Sequence, residues 1–169
     1  MQHKISSLVV LIAIGFFVFE KASSQVFAPN IQVDDGARCP QYAPSIAKGL
    51  NEELYVMFDD MRDGGDMYFA KSLDRGRTWS RLNIRVSDTC ICDWGLPSCM
   101  AVDEVGTIYA CWTDWRIDDD GDDDWDIYFS TSTDGGETWS VNVRVNDSSN
   151  GSKSIGSMIV APDQSLCVV

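Results

Sequence analysis

The stretch Ser72-Leu73-Asp74-Arg75-Gly76-Arg77-Thr78-Trp79 returns as Ser132-Thr133-Asp134-Gly135-Gly136-Glu137-Thr138-Trp139, displaced by 60 residues. Its residue types describe a tight turn between two strands. The aspartate is expected to accept hydrogen bonds from backbone N–H groups two and three residues on. Gly76 and Gly136 supply a backbone conformation that other residues resist, and the threonine hydroxyl closes the turn from the far side. The tryptophan folds its ring over the polar loop and gives it an apolar anchor. A chain that staples two strands in this way twice, at one spacing, is built from repeated antiparallel units.

A second element repeats alongside the first. Asn30-Ile31-Gln32-Val33-Asp34-Asp35 matches Asn83-Ile84-Arg85-Val86-Ser87-Asp88 and again Asn142-Val143-Arg144-Val145-Asn146-Asp147. Between these, β-rich runs at 44–47, 54–58 and 66–72 are separated by Gly, Asp or Asn. The same order returns at 97–100, 108–112 and 126–129, with the last strand of the unit within 138–145. A third unit opens at 157–160 and reaches 166–169. No helical period competes with this pattern after residue 25, so the expected fold class is all-β.

Ser-x-Asp-x-Gly-x-Thr-Trp resembles the Asp box, or BNR repeat, of the sialidase superfamily, and the resemblance covers nearly all of the chain after residue 25. It implies a β-propeller whose blades have four antiparallel strands, with one box between the third and fourth strands of a blade. The box carries no chemistry in that family. Ser72, Asp74, Gly76, Thr78 and Trp79, with Ser132, Asp134, Gly136, Thr138 and Trp139, are therefore read as structural. Residues 25–43 are read as an outer closing strand, lent to the last blade, and a connector. Residues 44–88 make the first blade, 97–147 the second, and 157–169 the start of a third. Propellers have about four to eight blades, so the expectation is about two and a half blades of an incomplete ring, with the remaining blades missing from this chain.

Before the repeats, residues 1–24 have the pattern of a secretory signal peptide. Positive charge lies at the start, residues 8–19 are almost wholly apolar, and Ala22-Ser23-Ser24 offers small residues for cleavage. The apolar run is short for a spanning helix, so the expected location is extracellular or periplasmic, with no membrane insertion after cleavage. The six cysteines fit an oxidising compartment. A formal net charge of −13 argues against nucleic acid as a partner, because phosphate binding needs a basic face.

In an up-and-down blade the second-to-third loop and the blade-to-blade connector share one end, and in the sialidase superfamily that end carries the ligand site. Here it holds Arg62, Trp94, Arg116, Trp115 and Trp125. Tryptophan beside carboxylates suits sugar rings, and packing between blades is the equally open use of the same rings. The loop 118–126 places seven carboxylates in nine positions. Asp118, Asp120, Asp122, Asp124 and Asp126 are candidate Ca²⁺ ligands, against the plainer reading of a solvated insertion. Cys99 and Cys111 flank the turn 103–107 symmetrically, so they are either a cross-strand disulfide or two core residues aligned with Ile46 and Met57. Cys39 is in reach of Cys90 or Cys92. Asn146-Asp147-Ser148 and Asn150-Gly151-Ser152 are glycosylation sequons or simply polar connector.

The resemblance also sets an enzymatic expectation: three arginines gripping a sugar carboxylate, a tyrosine nucleophile activated by a glutamate, and an aspartate acid/base. The first of those arginines opens an Arg-Ile-Pro motif. Here Tyr42-Ala43-Pro44 stands in its place, and the second unit has Gly95-Leu96-Pro97. A tyrosine hydroxyl does not replace a bidentate cationic clamp. Asp60-Met61-Arg62 matches the place of the second arginine, but Asp114-Trp115-Arg116 repeats it, which argues for structure. The expected function is thus a secreted, non-catalytic propeller segment that binds glycan or protein or acts as a scaffold. The alternatives are the N-terminal part of an exo-α-sialidase-like glycoside hydrolase and a structural surface or matrix protein.

Overall fold

The computed structural model describes residues 29–89, 97–116, 124–147 and 151–169; the expected signal peptide lies outside them. Among the described residues the strands form two four-stranded antiparallel sheets and one hairpin. The first sheet contains β1 (Gln41–Lys48), β2 (Leu54–Asp60), β3 (Asp66–Ser72) and the short β4 (Ile84–Arg85) in sequential order. The second contains β5 (Ser98–Val102), β6 (Ile108–Asp114), β7 (Asp126–Ser132) and β8 (Val143–Arg144), and β9 (Met158–Val160) pairs with β10 (Leu166–Val168). This is an all-β fold of four-stranded antiparallel blades, consistent with an incomplete propeller. Among the described residues no helix is long and apolar enough to cross a membrane.

The two sheets superpose in register. Val56 opposite Ala70 corresponds to Ala110 opposite Ser130, and Tyr68 opposite Arg85 corresponds to Tyr128 opposite Arg144. Sheet faces pack directly on one another. Tyr55, Met57, Met67 and Phe69 from one face of the first sheet meet Met100, Ile108, Ala110 and Trp112 from the second. The opposite face of the second sheet, with Cys99, Cys111, Ile127 and Phe129, is covered by Ile155, Met158, Leu166 and Val168. Central strands buried on both faces explain why β2 reads as a nearly continuous apolar run.

Two sequence expectations change at β1. The pairing shifts by one residue between Tyr42 and Ser45, and Ala43 has φ +45°, the signature of a bulge. The extra residue makes Ser45, opposite Met57, the counterpart of Cys99, opposite Cys111, in place of Ile46. Residues 30–35 form no strand ladder among the described residues; Val33 packs on Val56, Phe58, Tyr68 and Ala70.

Of the two readings of Cys99 and Cys111, the structure has the buried core residues. Cys99 and Cys111 are register partners, yet both carry free thiols. The flanking bonds from Thr113 N to Pro97 O and from Asp103 N to Thr107 O place them in a hydrogen-bonded pair, where side chains stand farther apart than in the alternate pairs. The neighbouring Cys99 thiol, and burial after it, push the Cys111 thiol far above its ordinary acidity range.

Candidate functional site

Both aspartate turns are built from the same hydrogen bonds. Ser72 Oγ accepts from Gly76 N at 2.7 Å and donates to Asp74 at 2.8 Å, while Asp74 accepts from Thr78 N at 2.8 Å and from the Thr78 hydroxyl at 2.7 Å. Ser132, Asp134, Gly136 and Thr138 repeat all four. The aspartate therefore reaches four residues on, one residue beyond the sequence expectation, and the serine hydroxyl serves the nearer N–H. These donors hold the Asp74 carboxyl down at about 2 and Asp134 lower still.

The tryptophan does more than cover its own loop. Trp139 meets Phe69 of the preceding sheet edge to face, with centroids 5.3 Å apart. A Cβ at Gly136 would collide with the same Phe69 ring. Lys71 reaches across to Gly135 O at 2.9 Å and Glu137 at 2.6 Å. The second turn is thus a locator between blades, and its glycine is required by close approach as well as by its φ of +85°. Arg75 pairs with Glu52 of the β1–β2 turn, which confirms that these two turns share one end of the blade.

At the other end lie the loop residues expected to face a ligand. Arg62 donates to both oxygens of Asp35 at 2.8 and 2.7 Å and to Asp60 at 2.7 Å, and its guanidinium lies 4.3 Å from the centroid of the Tyr68 ring. Arg116 donates to Asp88 at 2.7 Å and Asp114 at 2.6 Å, 3.8 Å over the Tyr128 ring. The buried Asp60 also accepts from the Cys39 thiol at 2.9 Å; burial and this carboxylate raise the thiol's pKa. Its Arg62 partner draws the Asp35 carboxyl down to about 2. Both guanidiniums are structural ties between a loop, a strand end and the connector from the preceding repeat.

Asp126 opens β7 as Asp66 opens β3, buried and engaged within its own sheet. Asp66 accepts from Arg85 at 2.7 Å and the Ser87 hydroxyl at 2.8 Å; Asp126 accepts from Arg144 at 3.2 Å and Asn146 at 2.6 Å. Burial pushes Asp66 upward, partly offset by Arg85. The Asn146 amide oxygen also accepts from Ile127 N at 2.8 Å, so this sequon asparagine does the work of Ser87. Asp124 accepts from Gly151 N and the Ser152 hydroxyl. Asp118, Asp120, Asp122, Trp94, Cys90, Cys92 and Asn150 lie outside the described residues. Among the described residues, no group of three or more His, Cys, Asp or Glu side chains is placed to hold a metal ion.

Trp115 and Trp125 are 36% and 38% exposed. Tyr42 lines a groove of about 320 Å³ with Gln41, Pro44, Val56, Phe58 and residues 32–34. Sequence reasoning missed the asparagines of the ties, Asn83 and Asn142, although their threefold repetition was a visible signal.

Comparison with solved structures places this arrangement. The Hadza microbial sialidase Hz136 is similar with a TM-score of 0.58 and 21% identity, over 76% of this chain and 31% of that one. A protein of unknown function from Dyadobacter fermentans is similar with a TM-score of 0.55 and 18% identity, over 79% of this chain and 47% of the other. A mutant of the NanB sialidase from Streptococcus pneumoniae matches at a TM-score of 0.43 and 20% identity, over 62% and 14%. No protein-family profile matches the chain, and no curated protein does. The chain has a sialidase-like fold. It spans about a third to a half of the first two structures it matches.

Proposed function

We propose that this chain is a secreted, non-catalytic segment of an Asp-box (BNR) propeller that serves as a glycan- or protein-binding or scaffold module. The observation that carries this reading is the engagement of both loop arginines. Arg62 and Arg116 each hold two carboxylates and stack on a tyrosine, so gripping a substrate carboxylate would mean breaking buried ion pairs. Tyr42 in place of the first family arginine supports the same conclusion. Trp115 and Trp125 are the surfaces offered to a ligand at this end, by stacking on a sugar ring or an apolar side chain.

Hydrolysis of a fluorogenic sialoside by the full chain should stay at the no-protein background. Turnover above that level, abolished by Arg62→Lys, would overturn the non-catalytic reading in favour of an exo-α-sialidase-like hydrolase. A glycan array followed by titration of any hit should show weaker binding for Trp115→Ala and Trp125→Ala. Binding unaffected by either change would remove the tryptophans from the site.

A further inference from the structure

Asp114 and Asp126 are the last register partners of β6 and β7, and Trp115 and Trp125 are the next residue beyond each of them. Neighbouring strands run about 5 Å apart, so the two tryptophans leave the sheet as neighbours. The connector after the second sheet holds the backbone of Trp125 on both sides: its N–H donates to the Ser152 hydroxyl at 3.4 Å, and its carbonyl accepts from Lys153 N at 2.7 Å. The fold does not ask for aromatic rings here. In the first sheet Asp60 and Asp66 end the same ladder, and the residues beyond them are Met61 and Gly65.

The charge around the rings decides what they can take. Positions 114–126 hold eight aspartates and a single arginine. That arginine, Arg116, is 12% exposed and directs its guanidinium to Asp114 at 2.6 Å, to Asp88 at 2.7 Å and to the Asn142 amide oxygen at 3.2 Å. The Lys153 ammonium donates to the Gly151 carbonyl. An incoming carboxylate or sulfate would therefore meet like charge in excess. Asp114, Asp124 and Asp126 already have donors, so they do not call for a cation; their remaining lone pairs accept from hydroxyl groups.

We infer that, given the glycan-binding reading above, Trp115 and Trp125 form a stacking platform for uncharged pyranose rings that rejects sialylated and sulfated glycans. The apolar face of the sugar lies on the indoles, and its hydroxyls donate to carboxylate oxygens around them. This specificity is the reverse of that of a site built to grip a sugar carboxylate.

A glycan array carrying matched pairs tests this, with hits titrated by calorimetry against the full chain: each neutral oligosaccharide beside its sialylated or sulfated form, and each N-acetylated chito-oligosaccharide beside its deacetylated form. Neutral members should bind about tenfold more tightly than their anionic forms, and salt of about 1 M, which shortens the screening length to about 3 Å, should narrow that gap. Trp115→Ala and Trp125→Ala should each weaken the neutral hit about five- to tenfold. Trp125→Tyr, which keeps an aromatic ring at this partly exposed position, should retain most of the binding. Equal or tighter binding of the sialylated forms overturns the inference and leaves the glycan-binding reading standing. Tighter binding of a deacetylated, cationic form does the same. An array without a hit removes the glycan-binding reading and this inference with it.

Discussion

Asp35 and Asn83 exchange hydrogen bonds across two repeats. The Asp35 N–H donates to the Asn83 side chain at 2.8 Å, and the Asn83 N–H donates to the Asp35 carboxylate at 3.2 Å. Asp88 and Asn142 do the same at 2.7 and 3.0 Å. The end of one repeat is thereby tied to the outer strand of the next, and the arginine at the end of β2 or β6 closes each tie.

Removing that arginine should expose the cost of the arrangement. Arg116→Met leaves Asp114, which is 1% exposed, without its cation, and losing one partner of a buried pair costs about 3 kcal/mol. Urea denaturation should show a loss of that order. A change below about 0.5 kcal/mol, the range of ordinary surface substitutions, would mean that the tie is ornamental.

The two turn glycines should respond differently to alanine. Gly76 and Gly136 have φ of +81° and +85°, so both substitutions carry a strain of about 1 kcal/mol. Only at Gly136 does the new methyl group strike Phe69; at Gly76 it approaches the flexible end of Leu54 at 3.2 Å. Gly136→Ala should therefore cost about 1–3 kcal/mol more, the range for overpacking. Equal losses in thermal melts would show that the glycine serves its turn alone.

Acid should act through three depressed carboxyls. Asp35 and Asp74 sit at about 2, and Asp134 lower, against about 3.9 in an unfolded chain. A folded pKa below the unfolded value gives stability that is complete above about pH 4 and lost as pH falls toward 2. The melting temperature should drop steeply across that window. Asp74→Asn with Asp134→Asn should flatten the drop, and an unchanged slope would acquit the turns.

Thiol chemistry should follow burial. Cys167 is exposed, while Cys99 and Cys111 are buried as free thiols under the hairpin. Brief alkylation of the native protein, read by mass spectrometry, should mark Cys167 well before Cys99 or Cys111, and denaturant should open both. A Cys99–Cys111 disulfide in the unreduced protein would contradict the free-thiol arrangement.

Much of the fold could be read from the chain because its signals are local. The serine, aspartate, glycine and threonine of each turn lie within seven residues and satisfy one another, so Ser72 to Thr78 predicted the joint between β3 and β4. The offset between copies then ordered the strands. The bulge at Ala43 was hidden, because one inserted residue leaves the apolar pattern of β1 legible while shifting Cys99 from Ile46 to Ser45.

Sequence alone determined the repeating antiparallel unit, since period and turn chemistry need no partner far along the chain. Tertiary structure alone decided which partners the polar residues outside the turns find. The repetition of Arg62 at Arg116 argued for structure, but its partner Asp35, 27 residues away, could be found only in the fold; likewise Asp126 stands in an acidic run in the sequence, and the fold supplies Asn146 and Arg144 as partners of its oxygens. A charged side chain takes its role from whatever lies within about 3 Å of it, and in a stacked sheet protein those neighbours arrive from other strands and other blades.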